Sequence, residues 1–179
     1  MQITGGKYNS RKIKTADYEN IKPTLSKTRQ GVFNTLASII NFEEKIFTDM
    51  FSGSGIMGLE AASRGFRVIS FEKDKKTFYS IKESYKSLGL LPEIYLGDAL
   101  KNILKYKIKS DVIYIDPPYD SDLYEKSLYI IKKNNILNPE GIIILEHKIE
   151  KAVNYIDYKI IKSKIYGNKQ ITFLTSQAE

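Results

Sequence analysis

A chain of 179 residues and 20.5 kDa has the size of one compact domain and leaves no room for separate cofactor and substrate domains. Its 28 Lys and Arg against 21 Asp and Glu give a net charge of +7, which favours a polyanionic partner such as nucleic acid, although a codon bias toward Lys, Ile, Asn and Tyr accounts for the same excess. With no cysteine, one histidine and no apolar run near the roughly 20 residues of a membrane span, disulfides, thiolate metal sites and a Cys nucleophile are excluded, and a metal-free, non-membrane protein of the cytoplasm is expected.

Residues 1–24 read as a small basic hairpin or arm. Pro23-Thr24-Leu25-Ser26 offers helix-start chemistry, and Val32, Phe33, Leu36, Ile39 and Ile40 recur at helical spacing as far as Ile40. From Lys45 the pattern becomes strand (Ile46–Phe51), glycine turn (Gly53–Gly58), helix to Arg64 and strand (Arg67–Glu72), which is a βαβ unit. A helix over Lys75–Leu88, a strand at Glu93–Leu96, a short helix after Asp98 and the apolar strand Asp111–Ile115 follow. A helix at Leu123–Lys133, a strand at Gly141–Glu146 and two β-rich runs, Tyr158–Ile165 and Gln170–Thr175, complete the chain.

Strands apolar throughout and separated by helices predict a mostly parallel sheet covered on both faces. The turn residues Tyr166-Gly167-Asn168-Lys169 predict that the last two runs form an antiparallel hairpin at the sheet edge. The expected architecture is α/β and Rossmann-like, with seven strands: an N-terminal arm and helix over 1–41, then the main domain over 42–179.

Ligands of such sheets bind beyond the carboxyl ends of the strands. At the first end, Gly53-x-Gly55-x-x-Gly58 matches a dinucleotide fingerprint, with Glu72 at the end of the next strand. Asp49 beside the glycines would repel a pyrophosphate and attract a cationic amino-acid group. That favours S-adenosylmethionine, which has an ammonium, a sulfonium and no phosphate, while a nicotinamide-dependent oxidoreductase stays as an alternative. Glu72 suits the ribose hydroxyls of either ligand, and Asp98 suits an adenine amino group or a helix N-cap.

The fourth end reads Tyr114-Ile115-Asp116-Pro117-Pro118-Tyr119. The prolines remove two backbone donors and keep Asp116 out of helical geometry, so a rigid loop presents a carboxylate, bare carbonyls and an aromatic ring. An exocyclic base amine is a poor nucleophile because its lone pair is conjugated. Acceptors on its two N–H groups would favour a pyramidal nitrogen and aim its lone pair at an electrophilic methyl, with Tyr119 stacked on the base.

The glycine loop and Asp116-Pro117-Pro118-Tyr119 resemble class I S-adenosylmethionine-dependent amino-methyltransferases. The N-terminal run Gly5–Ile13, Lys22-Pro23-Thr24 and Thr28–Leu36 is similar to the start of the bacterial 16S rRNA guanine-N2 methyltransferases, the RsmD-like family, and the likeness covers nearly the whole chain. Ser10, Lys22, Ser26-Lys27 and Gln30 depart from the family's usual glycine, arginine, Asp-Arg pair and glutamate.

The resemblance implies one N2-methylguanine mark on 16S rRNA within an assembling small subunit, and a monomer is expected, since an enzyme that reaches into a ribosomal particle benefits from being small. The resemblance also implies catalytic roles for Asp116, Pro117, Pro118 and Tyr119, and cofactor contacts from Asp49, Phe51, Gly53, Gly55, Glu72, Lys73, Asp98 and Ala99. Thr24 and Arg29 are candidates for the methionine carboxylate, and Lys7, Tyr8, Arg11 and Lys12 for RNA. His147 reads as a surface or capping residue. A DNA adenine-N6 or cytosine-N4 methyltransferase shares the Asp-Pro-Pro-Tyr run, but such enzymes usually carry a target-recognition region for which this chain has little room. A non-catalytic RNA-binding module is the alternative from a different class.

Overall fold

The computed structural model describes residues 1–13, 24–118, 122–155 and 157–177. Its elements are α1 (Ser26–Ala37), β1 (Ile46–Asp49), α2 (Ile56–Ser63), β2 (Arg67–Glu72), α3 (Lys75–Lys86), β3 (Glu93–Leu96), α4 (Ala99–Lys105), β4 (Ser110–Ile115), α5 (Leu123–Lys133), β5 (Leu137–Lys148), β6 (Tyr158–Tyr166) and β7 (Lys169–Ser176). One seven-stranded sheet has the order β3-β2-β1-β4-β5-β7-β6. Strands β1 to β5 pair in parallel, and β7 lies antiparallel between β5 and β6.

Both faces are covered because consecutive residues of the central strands are apolar and point to opposite sides of the sheet. Phe47, Val112, Tyr114, Ile142, Ile144, Ile171 and Phe173 face α1, α2 and α3, meeting Val32, Phe33, Leu36, Leu59 and Ile81. Ile113, Ile115, Ile143, Leu145 and Leu174 face α4 and α5, meeting Ile103, Tyr124, Leu128 and Ile131. Among the described residues no helix is long and apolar enough to cross a membrane.

Element boundaries differ from the sequence expectation where polar groups decide. Helix α1 ends at Ala37, where the Ser38 amide and hydroxyl both turn back to the Thr35 carbonyl. Its N-cap is Leu25, which provides no side-chain cap, and Thr24 faces elsewhere. Strand β5 starts at Leu137, before the expected Gly141, because Leu137 pairs with Ser110 ahead of a register shift that resumes at Ile142. It runs on to Lys148 because β7 pairs with residues as far as Lys148.

Residues 1–13 double back on themselves: the Met1 ammonium donates to the Ile13 carbonyl at 2.8 Å and the Ile3 amide to Arg11 at 3.1 Å. Lys14, Lys22 and Pro23 of the expected arm lie outside the described residues. Glu60, fully buried on α2, fastens this hairpin to the domain. It accepts from the Thr4 amide, the Thr4 hydroxyl, Arg29 Nε at 2.9 Å and Arg64 Nη1.

Candidate active site

The carboxyl ends of β1 to β4 open into a cleft of about 690 Å³, lined among others by Thr24, Asp49, Phe51, Gly53, Glu72, Lys73, Asp98, Ala99, Asp116, Pro117, Pro118 and Lys148. The glycine turn shapes its floor. Gly55 is the N-cap of α2 at φ 74, a left-handed conformation in which a Cβ would also sit 2.8 Å from Ile81. Gly58 lets α2 lie close to β2 and α3, since a Cβ there would approach Ser70 and Val68 of β2 to 3.2 Å and the Tyr85 hydroxyl of α3 to 2.6 Å.

Three carboxylates at successive strand ends differ in their partners. Glu72 accepts from the Gly53 amide at 2.9 Å and the Asp74 amide at 2.8 Å, one through each oxygen, and so ties the glycine turn to β2. Asp98 accepts the Lys101 amide at 2.9 Å as N-cap of α4 while lining the cleft, so its helix-capping place and its cleft-facing place coincide. Asp49 is buried, and neither of its oxygens has a hydrogen-bond partner. Burial, followed by the charge of Glu72, raises its pKa from 3.8 to about 7, and the Gly58 and Phe51 amides, which face the carboxylate without reaching hydrogen-bond geometry, temper the rise. An unpartnered carboxylate aimed into a cleft is a receptor for a cation.

The end of β4 carries a second acidic group. Asp116 lies one step beyond the Ile115–Leu145 pair, which sets it beside Glu146 of β5. Glu146 is fully buried and accepts from the Tyr114 hydroxyl, from Lys169 Nζ of β7 and from the Thr24 hydroxyl at 3.4 Å. Burial, then the negative charge of Glu146, holds the Asp116 pKa well above the usual carboxylate range, while Lys169 opposes the rise. Burial and Glu146 raise the Tyr114 phenol as well. Asp116 therefore has high proton affinity at the mouth of a cleft whose next two residues, Pro117 and Pro118, offer no N–H.

The structure brings most of the expected site residues together and separates others. Asp49, Phe51, Gly53, Glu72, Lys73, Asp98, Ala99, Thr24, Asp116, Pro117 and Pro118 share the cleft, whereas Tyr119 lies outside the described residues. Arg29, expected at the methionine carboxylate, does not line the cleft. Its guanidinium is buried and engaged by Glu60, the Thr24 carbonyl at 2.5 Å, the Gln2 carbonyl at 2.6 Å and the Ser26 hydroxyl at 3.2 Å. Arg29 thus steadies the segment that holds Thr24 over the cleft.

His147, expected as a surface or capping residue, is buried: Nδ1 donates to the Lys148 carbonyl at 2.8 Å, which leaves Nε2 to accept from the Tyr155 hydroxyl at 2.8 Å. Lys7 and Tyr8 bond through their amides to Ser63, the last residue of α2, about 12 Å along that helix from its cleft end. Arg11 and Lys12 are exposed on the same hairpin. Glu146 and Lys169 escaped sequence reasoning, because nothing local in the chain announces that β7 lies against β5.

The sequence family described as Conserved hypothetical protein 95 matches residues 1–175. Ribosomal RNA small subunit methyltransferase D of Buchnera aphidicola is 30% identical over 155 residues, covering 84% of this chain and 80% of that protein. The chain belongs to the RsmD family. The Escherichia coli RsmD protein is 25% identical, over 100% of this chain and 90% of its own length. Among solved structures, the putative methyltransferase yhhF of Escherichia coli superposes with a TM-score of 0.86 at 23% identity, covering 100% of this chain and 99% of that one, which establishes the same Rossmann-like fold. In this RsmD-like chain the glycine turn and the Asp-Pro-Pro run, remote in sequence, open onto one cleft.

Proposed function

We propose that this protein transfers the methyl group of S-adenosylmethionine to the exocyclic N2 of a guanine in small-subunit rRNA, as a cytoplasmic monomer acting on an assembling subunit. Support comes from family membership over residues 1–175 and, above all, from the single cleft shared by the glycine turn and Asp116-Pro117-Pro118. The unpartnered Asp49 carboxylate fits a donor bearing an ammonium group and disfavours the pyrophosphate of a dinucleotide. Asp49, Glu72 and Asp98 would hold the amino-acid, ribose and adenine parts respectively, with Phe51, Lys73 and Ala99 completing the walls. When bound, S-adenosylmethionine supplies an electrophilic methyl on a sulfonium.

The remaining work falls to this chain's own groups. The Asp116 carboxylate and a carbonyl of the Pro117-Pro118 loop accept the two N–H bonds of the base amine, which frees the nitrogen lone pair from conjugation and aims it into the cleft. These acceptors strengthen their hold as positive charge develops on that nitrogen. Burial and Glu146 give Asp116 the proton affinity to take the proton that the amine releases. Tyr119 is proposed to stack on the target base.

Incubating the protein with methyl-labelled S-adenosylmethionine and small subunits from a strain lacking the enzyme should label one guanine. Asp116→Ala should reduce transfer at least 100-fold while leaving S-adenosylhomocysteine binding in place. Absence of transfer to any rRNA by the parent protein would remove this reading, and methylation of DNA adenine or cytosine would replace it.

A further inference from the structure

The edge strand β6 bears an unusual charge arrangement. The hairpin of β6 and β7 contains four lysines, Lys159, Lys162, Lys164 and Lys169, and no Asp or Glu. Lys169 is paired with Glu146, but among the described residues Lys159, Lys162 and Lys164 have no acidic partner. Lys159 and Lys162 are exposed and Lys164 is half-buried.

Lys159 and Lys162 are an odd number of residues apart and would project to opposite faces of a regular strand. A register shift between Ile160 and Lys162 changes this. Lys159 then stands opposite Thr175, Lys162 opposite Phe173 and Lys164 opposite Ile171. Phe173 and Ile171 belong to the core beneath α1, and residues directly opposite on paired strands share a face. All three lysines therefore lie on the α1 side of the sheet, at intervals of about 7 Å. This spacing is comparable to that of successive phosphates along a nucleic-acid strand.

The row also points at the cleft. Lys164, Ile171, Glu146 and Asp116 occupy one level across β6, β7, β5 and the end of β4. Three inter-strand steps place Lys164 about 14 Å from Asp116. From the proposed rRNA activity, on which this step rests, we infer that Lys159, Lys162 and Lys164 form a track for the phosphate backbone that leads the target nucleotide to Asp116. Lysines on an edge strand also deter pairing with another chain, but that protection does not call for a bulge that gathers them on one face level with the site.

The test compares the parent with the triple variants Lys159→Gln, Lys162→Gln, Lys164→Gln and Lys159→Arg, Lys162→Arg, Lys164→Arg, with small subunits from a strain lacking the enzyme as substrate. In the glutamine variant KM for subunits should rise at least tenfold with kcat within twofold of the parent, and the slope of log KM against log salt should fall by roughly 2. The arginine variant should match the parent, and S-adenosylhomocysteine affinity should be the same in all three. Unchanged KM and salt slope in the folded glutamine variant would overturn the track. So would a glutamine variant that self-associates while its monomer keeps the parental KM, because the lysines would then serve edge protection. A parent that transfers nothing to rRNA defeats the functional reading instead, an outcome distinct from a parent and variant of equal activity.

Discussion

Replacing Asp49 with asparagine should stabilise the unliganded protein while disabling it. The folded chain holds the Asp49 proton more tightly than the unfolded chain, with a pKa of about 7 against 3.8. Stability is therefore lost as pH rises from about 4 to 7, and the loss stays at its full size above pH 7. At 1.36 kcal/mol for each pH unit, an interval of about three units costs about 4 kcal/mol. Asparagine has nearly the same shape and, like the protonated acid, no charge, so it removes that cost without opening a cavity. In a domain of this size the gain corresponds to a rise in Tm of roughly 10 °C at pH 8. Urea unfolding followed by circular dichroism at pH 4, 6 and 8 measures it. The gain should grow with pH and vanish near pH 4, while calorimetry with S-adenosylhomocysteine should show at least tenfold weaker binding. A variant equal to or less stable than the parent at pH 8, or a gain independent of pH, would refute the reasoning.

Arg29→Met leaves the buried Glu60 without one of its cations, and the protein should lose about 3 kcal/mol of stability, read by denaturant unfolding, while the folded fraction keeps its affinity for S-adenosylhomocysteine. In the parent, kcat/KM should rise with pH through about 7 as Asp49 ionises, and Asp116, which must also be ionised and whose pKa is also raised, should add a further ionisation to the acid side of the profile. Glu146→Gln removes the charge that helps to raise Asp116 and leaves the Lys169 cation beside it, so the Asp116 contribution to the acid limb of that profile should move to lower pH. Ser10→Gly relieves a left-handed residue at φ 66 and should stabilise the protein by up to about 1 kcal/mol in thermal unfolding.

The cleft was legible in the sequence because its two halves are local patterns, each placed by the strand before it. Glycines after an apolar strand and prolines after another say where the backbone turns and what it can donate. The sheet was legible for the same reason, since apolar runs alternate with amphipathic ones. What escaped depends on pairings between distant segments. Arg29 sits in the N-terminal segment that resembles the family's start, yet its partner is Glu60, a residue whose lone charge inside the apolar run Ile56–Ala62 was the available signal of a buried pair. His147 follows a charged residue and reads as exposed, but Tyr155 and the inserted strand β7 cover it. The row on β6 depends on a bulge, and no residue near Ile160 marks one: a shift of one position reverses the faces without altering the composition.

The place of β7 inside the sheet also bears on how the molecule is made. A ribosome releases β1 to β5 before β7, so for a time the growing chain has all the strands that carry Asp49, Asp116 and Glu146 without the strand that carries Lys169. Until β7 is in place, β5 lacks the strand that covers its edge and Glu146 lacks Lys169, the cation that also opposes Asp116's high proton affinity. Insertion of β7 closes the edge and balances the charge in a single event. Completion of the fold and readiness of the site are thus timed together, so a nascent chain is an incomplete enzyme until its penultimate strand, β6, has been separated from β5 by its last.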